Sequence, residues 1–307
     1  MKILVAGGTG TIGSLVVAEL VTRGAEVVVL TRHPVTARVP KGVTAVKGDG
    51  TDVDAMRQAM DGAQALFLLI PVVPDELARA LVMLDIARAA RVGHVVYFSM
   101  KQADTFADVA HAASKFASEA AIRKYGFSAT ILRPNYFFQN DASLKAPVLH
   151  EGVYPTPIGN VGVSMNDARD IAEVGALALM GEPASAGEVL TIEIGGPDII
   201  TGDSIARLWS DVVGRPVRYL GDDLAAFEKK VASMASSWAA HDTALMFRGF
   251  QREGMIAGAG VVERLTALLG RPLRTYRDFA RETAATWDES LLDKVRAAAS
   301  QVGNRAS

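Results

Sequence analysis

The chain has no cysteine among its 307 residues, which excludes disulfides, thiolate nucleophiles, cysteine-ligated metals and iron–sulfur clusters. It also lacks a charge imbalance: 34 acidic against 32 basic residues give a formal charge of −2, with no basic run. Nucleic acid and a membrane surface therefore gain no electrostatic support, and neither is expected as a partner. There is no uninterrupted apolar span of about 20 residues, the length a membrane-crossing helix needs. The N-terminus shows no charged-then-apolar leader, because its apolar run ends at once in glycines, and the expected compartment is cytoplasmic. The five histidines (His33, His94, His111, His150, His241) are scattered with no H-E-x-x-H pair, so no metal is expected. The absence of a G-x-S-x-G elbow argues against a serine hydrolase.

What the chain does contain is a 50 % apolar fraction, enough to bury a sizeable core in one unit or two joined lobes. Its first thirteen residues carry the most information. Ile3, Leu4, Val5 and Ala6 make the short continuous apolar run of a strand covered on both faces. Gly7, Gly10 and Gly13 follow at G-x-x-G-x-x-G spacing, and a helix starts near Thr11. Glycine suits these positions for three reasons: a tight turn, a close backbone approach to a pyrophosphate, and close packing of helix on strand. The unpaired N–H groups and positive dipole end of that helix would face phosphates, making Gly7, Thr9, Gly10, Thr11, Ile12 and Gly13 the candidate cradle.

The next strand, 27–30, runs into Thr31 and Arg32. A site selective for NAD usually places Asp or Glu here to accept hydrogen bonds from the ribose. A guanidinium can instead pair with a 2′-phosphate through parallel charge-assisted hydrogen bonds, so Thr31 and Arg32 point to NADP, with NADPH preferred over NADH. The alternative is a solvated surface arginine. After a third strand at 43–46, Asp49 and Gly50 are candidates for the adenosine, with the Asp49 carboxylate either meeting the adenine amino group or closing a simple turn. Leu69, Ile70 and Pro71, at the end of the strand at 65–70, would line the cofactor through backbone and apolar contacts.

Strand-like and helix-like segments keep alternating, with helices at 11–22, 54–60, 76–90 and 107–125 and further strands at 95–99 and 129–132. That order predicts an α/β fold with a doubly wound parallel sheet, whose ligands gather at the carboxyl ends of the strands. A helix containing 170–180 and a returning strand at 189–194 follow, then helices at 201–213, 223–238, 261–269 and 275–286. The expected organisation is a dinucleotide-binding domain at 1–155, with 187–197 returning to it. A smaller, mostly helical substrate lobe would comprise 156–186 and 198–300, ahead of a tail at 301–307.

His111 and Lys115 are four apart and share a helix face, and Ser99 ends the strand before them. In these features the chain resembles the NmrA-like, atypical kind of short-chain dehydrogenase/reductase, over nearly its whole length. The likeness rests on Gly7-Gly8-Thr9-Gly10-Thr11-Ile12-Gly13, Thr31-Arg32, Gly48-Asp49, the Lys115 helix, and Ile131-Leu132-Arg133-Pro134-Asn135 with Phe138 and Asn140 behind it. It continues through Asp167, Asp170-Ile171-Ala172, Gly195-Gly196-Pro197 and Val213-Gly214-Arg215-Pro216-Val217. The resemblance implies a Rossmann-type domain that binds NAD(P). The superfamily's Tyr-x-x-x-Lys is altered, because His111 stands where the tyrosine would be. Lys115 would hold the nicotinamide ribose or act as acid/base, as in the isoflavone-reductase branch; the alternative is a solvated lysine paired with Glu119. His111 is a candidate proton donor, or a helix histidine that merely hydrogen-bonds. Ser99, Pro134, Asn135 and Phe137 complete the candidate site with Tyr136. Asp167 and Asp170 are expected to cap helices rather than catalyse.

Downstream, Phe227, Met234, Trp238, Met246, Phe247 and Phe250 lie among glycines at 249, 254, 258 and 260. They suit an apolar pocket under a lid with glycine joints. The expected function is an NADPH-dependent reductase that passes hydride to an apolar or aromatic acceptor such as a quinone, enone or imine. A non-catalytic NAD(P) sensor of the NmrA type and an isomerase or epimerase are the alternatives, and the chain is either a monomer or a homodimer.

Overall fold

Alternate residues of the first strand, β1 (Lys2–Ala6), enter different cores: Ile3 and Val5 on one side, Leu4 and Ala6 on the other. Each fully buried aliphatic side chain here stabilises the fold by about 1.5–3 kcal/mol, so both faces of the strand demand cover. The computed structural model describes residues 1–183 and 185–287. Part of the expected second lobe, 288–300, and the expected tail, 301–307, lie outside the described residues. After β1 come α1 (Thr11–Thr22), β2 (Glu26–Thr31), β3 (Thr44–Lys47), α2 (Val53–Met60), β4 (Ala65–Leu68), α3 (Glu76–Ala89), β5 (His94–Phe98), α4 (Ala110–Tyr125) and β6 (Ala129–Pro134). A 3-10 turn at Phe138–Asp141 and a π turn at Pro147–Glu151 lead to β7 (Val153–Tyr154), α5 (Ala168–Met180), β8 (Val189–Ile194) and α6 (Gly202–Val213). The remaining elements are β9 (Arg218–Tyr219), α7 (Leu224–Ala232), α8 (Ser237–Glu253), α9 (Val261–Leu269) and α10 (Tyr276–Trp287).

Seven strands form one parallel sheet in the order β3-β2-β1-β4-β5-β6-β8, with Val5 level with Val29 on one neighbour and Phe67 on the other. Helices α2, α3 and α4 cover one face, and α1, α5 and α9 the other. A third core, rich in aromatics, makes the second lobe. It holds Phe106, Phe138, Tyr154, Trp209, Phe247, Phe250 and Tyr276, with the paired short strands β7 and β9 beside it.

The lobes divide differently from the expected boundaries. The second core already begins at Phe138, Val148 and Tyr154, inside the span 1–155 expected of the first domain. Conversely, α5 and α9, expected in the small lobe, press Ile171, Val174, Val261 and Leu265 onto the sheet, because α1 alone leaves that face uncovered. The helix expected at 223–238 is two helices. Ser236 starts the second, its side chain accepting from the Ala239 N–H, and that helix runs on through Gly249 to Glu253. Gly249 is no joint, since an added Cβ would lie 2.8 Å from the Phe106 ring.

The aromatic core also buries Asp141. Its Oδ2 accepts from the hydroxyls of Tyr154 (3.0 Å) and Tyr276 (2.7 Å), and Tyr276 accepts in turn from the Trp209 indole (3.1 Å). Burial pushes the Asp141 carboxyl up to about 7, and the two phenols offset only part of that. The folded state thus keeps a proton that the unfolded chain gives up near 3.8, so this group's contribution to stability declines as pH rises from about 4 to about 7. Asp141→Asn keeps an acceptor for both phenols yet cannot ionise, and it is expected to flatten that decline. Melting temperatures of variant and wild type at pH 5 and pH 8 decide; parallel slopes would remove Asp141 from the account.

Candidate active site

Because all seven strands point one way, the loops after them gather on one edge, and the glycine turn after β1 lies beside residues 69–71 after β4. Gly7 sits at φ +79°, and a Cβ there would lie 2.7 Å from the Leu69 carbonyl. A Cβ on Gly13 would lie 2.1 Å from the Gly7 oxygen, so only glycine lets α1 start this close to the turn. Gly10 precedes the helix and offers no side-chain cap, leaving the first-turn N–H groups without a side-chain partner. An open helix N-terminus over a cradle that Cβ atoms would fill fits a pyrophosphate.

A cavity of about 590 Å³ runs from this turn to the second lobe, within the usual size range of small-molecule sites. Gly10, Thr11, Ile12 and Gly13 line it, together with Leu69, Ile70, Pro71 and Ser99. Lys115, His111, Pro134, Asn135, Tyr136 and Phe137 line it too, and α8 contributes Ala239, Thr243, Met246 and Phe250. Gly7 shapes the turn from behind, and Thr9 is exposed at its tip. Thr31, Arg32, Asp49 and Gly50 fall outside the cavity lining, at the ends of β2 and β3. Thr31 is buried and accepts from the His33 N–H, whereas Arg32 is exposed. One oxygen of Asp49 closes a turn on the Thr51 hydroxyl (2.6 Å) and N–H (2.8 Å). Those hydrogen bonds, helped by the charges of Arg79 and Arg32, hold its carboxyl below the usual value. Gly50 lies under the Arg79 side chain.

Helix α4 supplies the charged side chains. Lys115 does not pair with Glu119: its ammonium lies 2.9 Å from Glu76 Oε1 and donates to the Phe98 carbonyl at 3.3 Å. Glu119 is taken by Arg133 (2.7 Å) and by the Ser99 hydroxyl (2.6 Å), so that hydroxyl is engaged within the protein. Glu76 is itself buried, which raises its carboxyl pKa, and the Lys115 charge offsets only part of the rise. One helical turn before Lys115, His111 Nδ1 is hydrogen-bonded to Asp242 Oδ2, and the His111 backbone N–H donates to Oδ1 at 3.3 Å. Burial alone would raise the Asp242 carboxyl; its bonds to His111 and the Ala110 N–H outweigh burial and hold it low.

Asn135 donates its amide to the Met255 carbonyl and accepts from the Tyr136 N–H, pinning the segment after α8 to the end of β6. Phe137 stacks on Tyr136, which meets Phe247 and Phe250 edge-on. Of the expected lid residues, Met246 and Phe250 line the cavity, Phe227 and Phe247 pack behind them, and Met234 is 74 % exposed. Asp167 caps α5, while Asp170 binds Arg271 and Arg274 ahead of α10. Sequence reasoning missed Glu76 and Asp242. Asp242 lies between Ala239 and Phe250 in step with the buried face of α8, and an acid on an apolar helix face is the signal that was available. Among the described residues, no group of three or more potential metal ligands is present, and no helix is long and apolar enough to cross a membrane.

The sheet, the glycine cradle and the cavity at the switch point define a dinucleotide-binding protein of the Rossmann class. The chain belongs to the NmrA-like family, whose model matches residues 1–257. An NAD(P)H azoreductase from Xenophilus azovorans is 29 % identical over 93 % of this chain and 99 % of its own length. A (4-alkanoyl-5-oxo-2,5-dihydrofuran-3-yl)methyl phosphate reductase from Streptomyces griseus is 32 % identical over 92 % of this chain and 98 % of its own. The fold is shared with an NADPH-dependent quinone oxidoreductase from Escherichia coli, solved with NADPH, at a TM-score of 0.80, 23 % identity, and coverage of 91 % of this chain and 99 % of that one.

If the glycine turn is the pyrophosphate site, Gly13→Ala must push the turn and α1 apart. Overpacking of this kind costs roughly 1–3 kcal/mol, so affinity for NADPH, followed by fluorescence titration, is expected to fall about tenfold or more. Unchanged affinity would move the pyrophosphate elsewhere.

Proposed function

We propose that the chain is an NADPH-dependent reductase acting on planar apolar or aromatic acceptors, a class that includes quinones, enones and imines. The observation that carries this reading is a single cavity lined by the glycine cradle, by an aromatic and methionine-rich wall, and by Lys115 and His111. Two of the curated relatives support it, since both are named reductases and one is named an azoreductase; the N=N bond of an azo compound is a planar electrophile of the same kind.

Each part of the site then has its own task. The first turn of α1 receives the pyrophosphate, and Arg32, just past β2, meets the 2′-phosphate that distinguishes NADPH from NADH. Lys115, anchored by Glu76 and the Phe98 carbonyl, holds the nicotinamide ribose. Tyr136, Met246 and Phe250 grip the acceptor face-on and keep water off it. NADPH supplies the hydride when bound. His111, whose Nε2 has no protein partner among the described residues, offers the proton that accompanies it.

Purified protein given NADPH and a panel of quinones, enones, imines and azo dyes is expected to consume NADPH with at least one class, followed by loss of absorbance. Tight NADPH binding with no acceptor reduced would overturn the reading in favour of a sensor. Arg32→Ala is expected to weaken NADPH by roughly tenfold or more and to leave NADH nearly unchanged, on the scale of one charge-assisted hydrogen-bonded pair. Equal losses for the two cofactors would remove Arg32 from the 2′-phosphate.

A further inference from the structure

Residues of both lobes line the cavity, and one buried carboxylate links the lobes beside it. Asp242 is on α8, the helix that walls the acceptor end with Thr243, Met246 and Phe250. Its two oxygens reach α4 of the sheet domain, Oδ2 to His111 Nδ1 and Oδ1 to the His111 backbone N–H. Helix α4 has no side-chain cap of its own, Val109 preceding it, so the carboxylate serves as a cap brought in from the other lobe. His111 Nε2 is then the ring nitrogen left without a protein partner among the described residues, on a side chain that lines the cavity.

We propose that Asp242 is a positioning residue that fixes the His111 imidazole through Nδ1, so that Nε2 presents a proton to the acceptor. The proposal rests on the reductase reading. In that reaction the acceptor gains a hydride at one atom of its double bond; the displaced electron pair on the other atom takes the proton from Nε2. The N–H bond breaks, the neutral ring remains held by Asp242, and a proton from solvent restores it. The hydride comes from NADPH, which leaves as NADP⁺, and the acceptor leaves as its dihydro form.

Of the surrounding charges, the Glu76 carboxyl from α3 faces both members of the pair, favoured by His111 and opposed by Asp242. Lys115 on the same helix is matched by Glu76 from α3. Asp108, on the loop before α4, is matched at the surface by Arg248 from α8 (2.8 Å). Tyr136, the other titratable group lining the cavity, is kept protonated by burial, which raises its phenol well above the usual value.

Asp242→Asn keeps an acceptor for the α4 N–H groups but removes the charge. With NADPH and an acceptor, it is expected to lower kcat roughly tenfold to hundredfold, a part of the roughly hundred- to ten-thousandfold that general acid catalysis supplies, with little change in the KM for NADPH. The pH–activity profile should differ from that of the wild type, because the ring has lost its Nδ1 carboxylate, and Asp242→Glu should restore the wild-type profile. A second readout needs no turnover. The resting protein should show an imidazole N–H resonance far downfield, absent in both His111→Gln and Asp242→Asn. An Asp242→Asn variant with the wild-type pH profile, or a downfield resonance that survives that change, overturns the proposal. If wild type reduces no acceptor, it is the reductase reading that fails, and the resonance still decides whether Asp242 holds the ring. Should Asp242→Asn not fold, Asp242→Glu and the resonance in wild type and His111→Gln decide: a shifted profile in the first or no difference between the latter two overturns the assignment.

Discussion

Seven parallel strands buried on both faces constrain almost everything else in this protein. Neither face can meet water, so helices must lie on both sides, and every crossover returns the chain to the same edge to begin the next strand. All the loops that can touch a ligand therefore collect at the other edge, where the strands end. The glycine turn, residues 69–71, Ser99 and Asn135 are far apart along the chain, yet they line one cavity because each comes directly after a strand of that sheet. The second lobe is built over this edge and needs its own aromatic core to stand there.

Against that scaffold, α4 is unusual for what it buries. His111, Lys115 and Glu119 are each less than a tenth exposed, and each finds its partner on a different element: α8, α3 and β6. Taking an ion out of water costs several kcal/mol, and a buried pair seldom recovers more than that, so these pairs are weak stabilisers of the fold. Their consequence is geometric. Three long or polar side chains are each held in one orientation by partners that could not all be satisfied if the helix slid or turned.

Local features were legible along the chain wherever local physics sets them. The bounds of α1, 11–22, follow from glycines on one side and apolar periodicity beyond, and β8 at 189–194 follows from its alternation and the Gly195-Gly196 that ends it. Much of the candidate site was likewise visible, because a residue's place after a strand is a sequence property. What could not be read was pairing. Nothing local tells Lys115 to choose Glu76 over Glu119, which is four residues away on its own helix; Arg133 and Ser99 make that choice by occupying Glu119. The two-residue strands β7 and β9 are too short to carry any period, and the true lobe of α5 and α9 depends on which sheet face remained bare.

The chain does not build its lobes one after the other. It leaves the sheet after β6, returns as α5 and β8, departs for α6 to α8, comes back as α9 and departs again as α10. Such interleaving means that neither lobe is a cassette: among the described residues, no single cut frees the second lobe, and no one fusion point would graft it onto another dinucleotide-binding scaffold. On the proposed reading, adaptation to a new acceptor is channelled into individual side chains along the inner face of α8, rather than into exchange of a module.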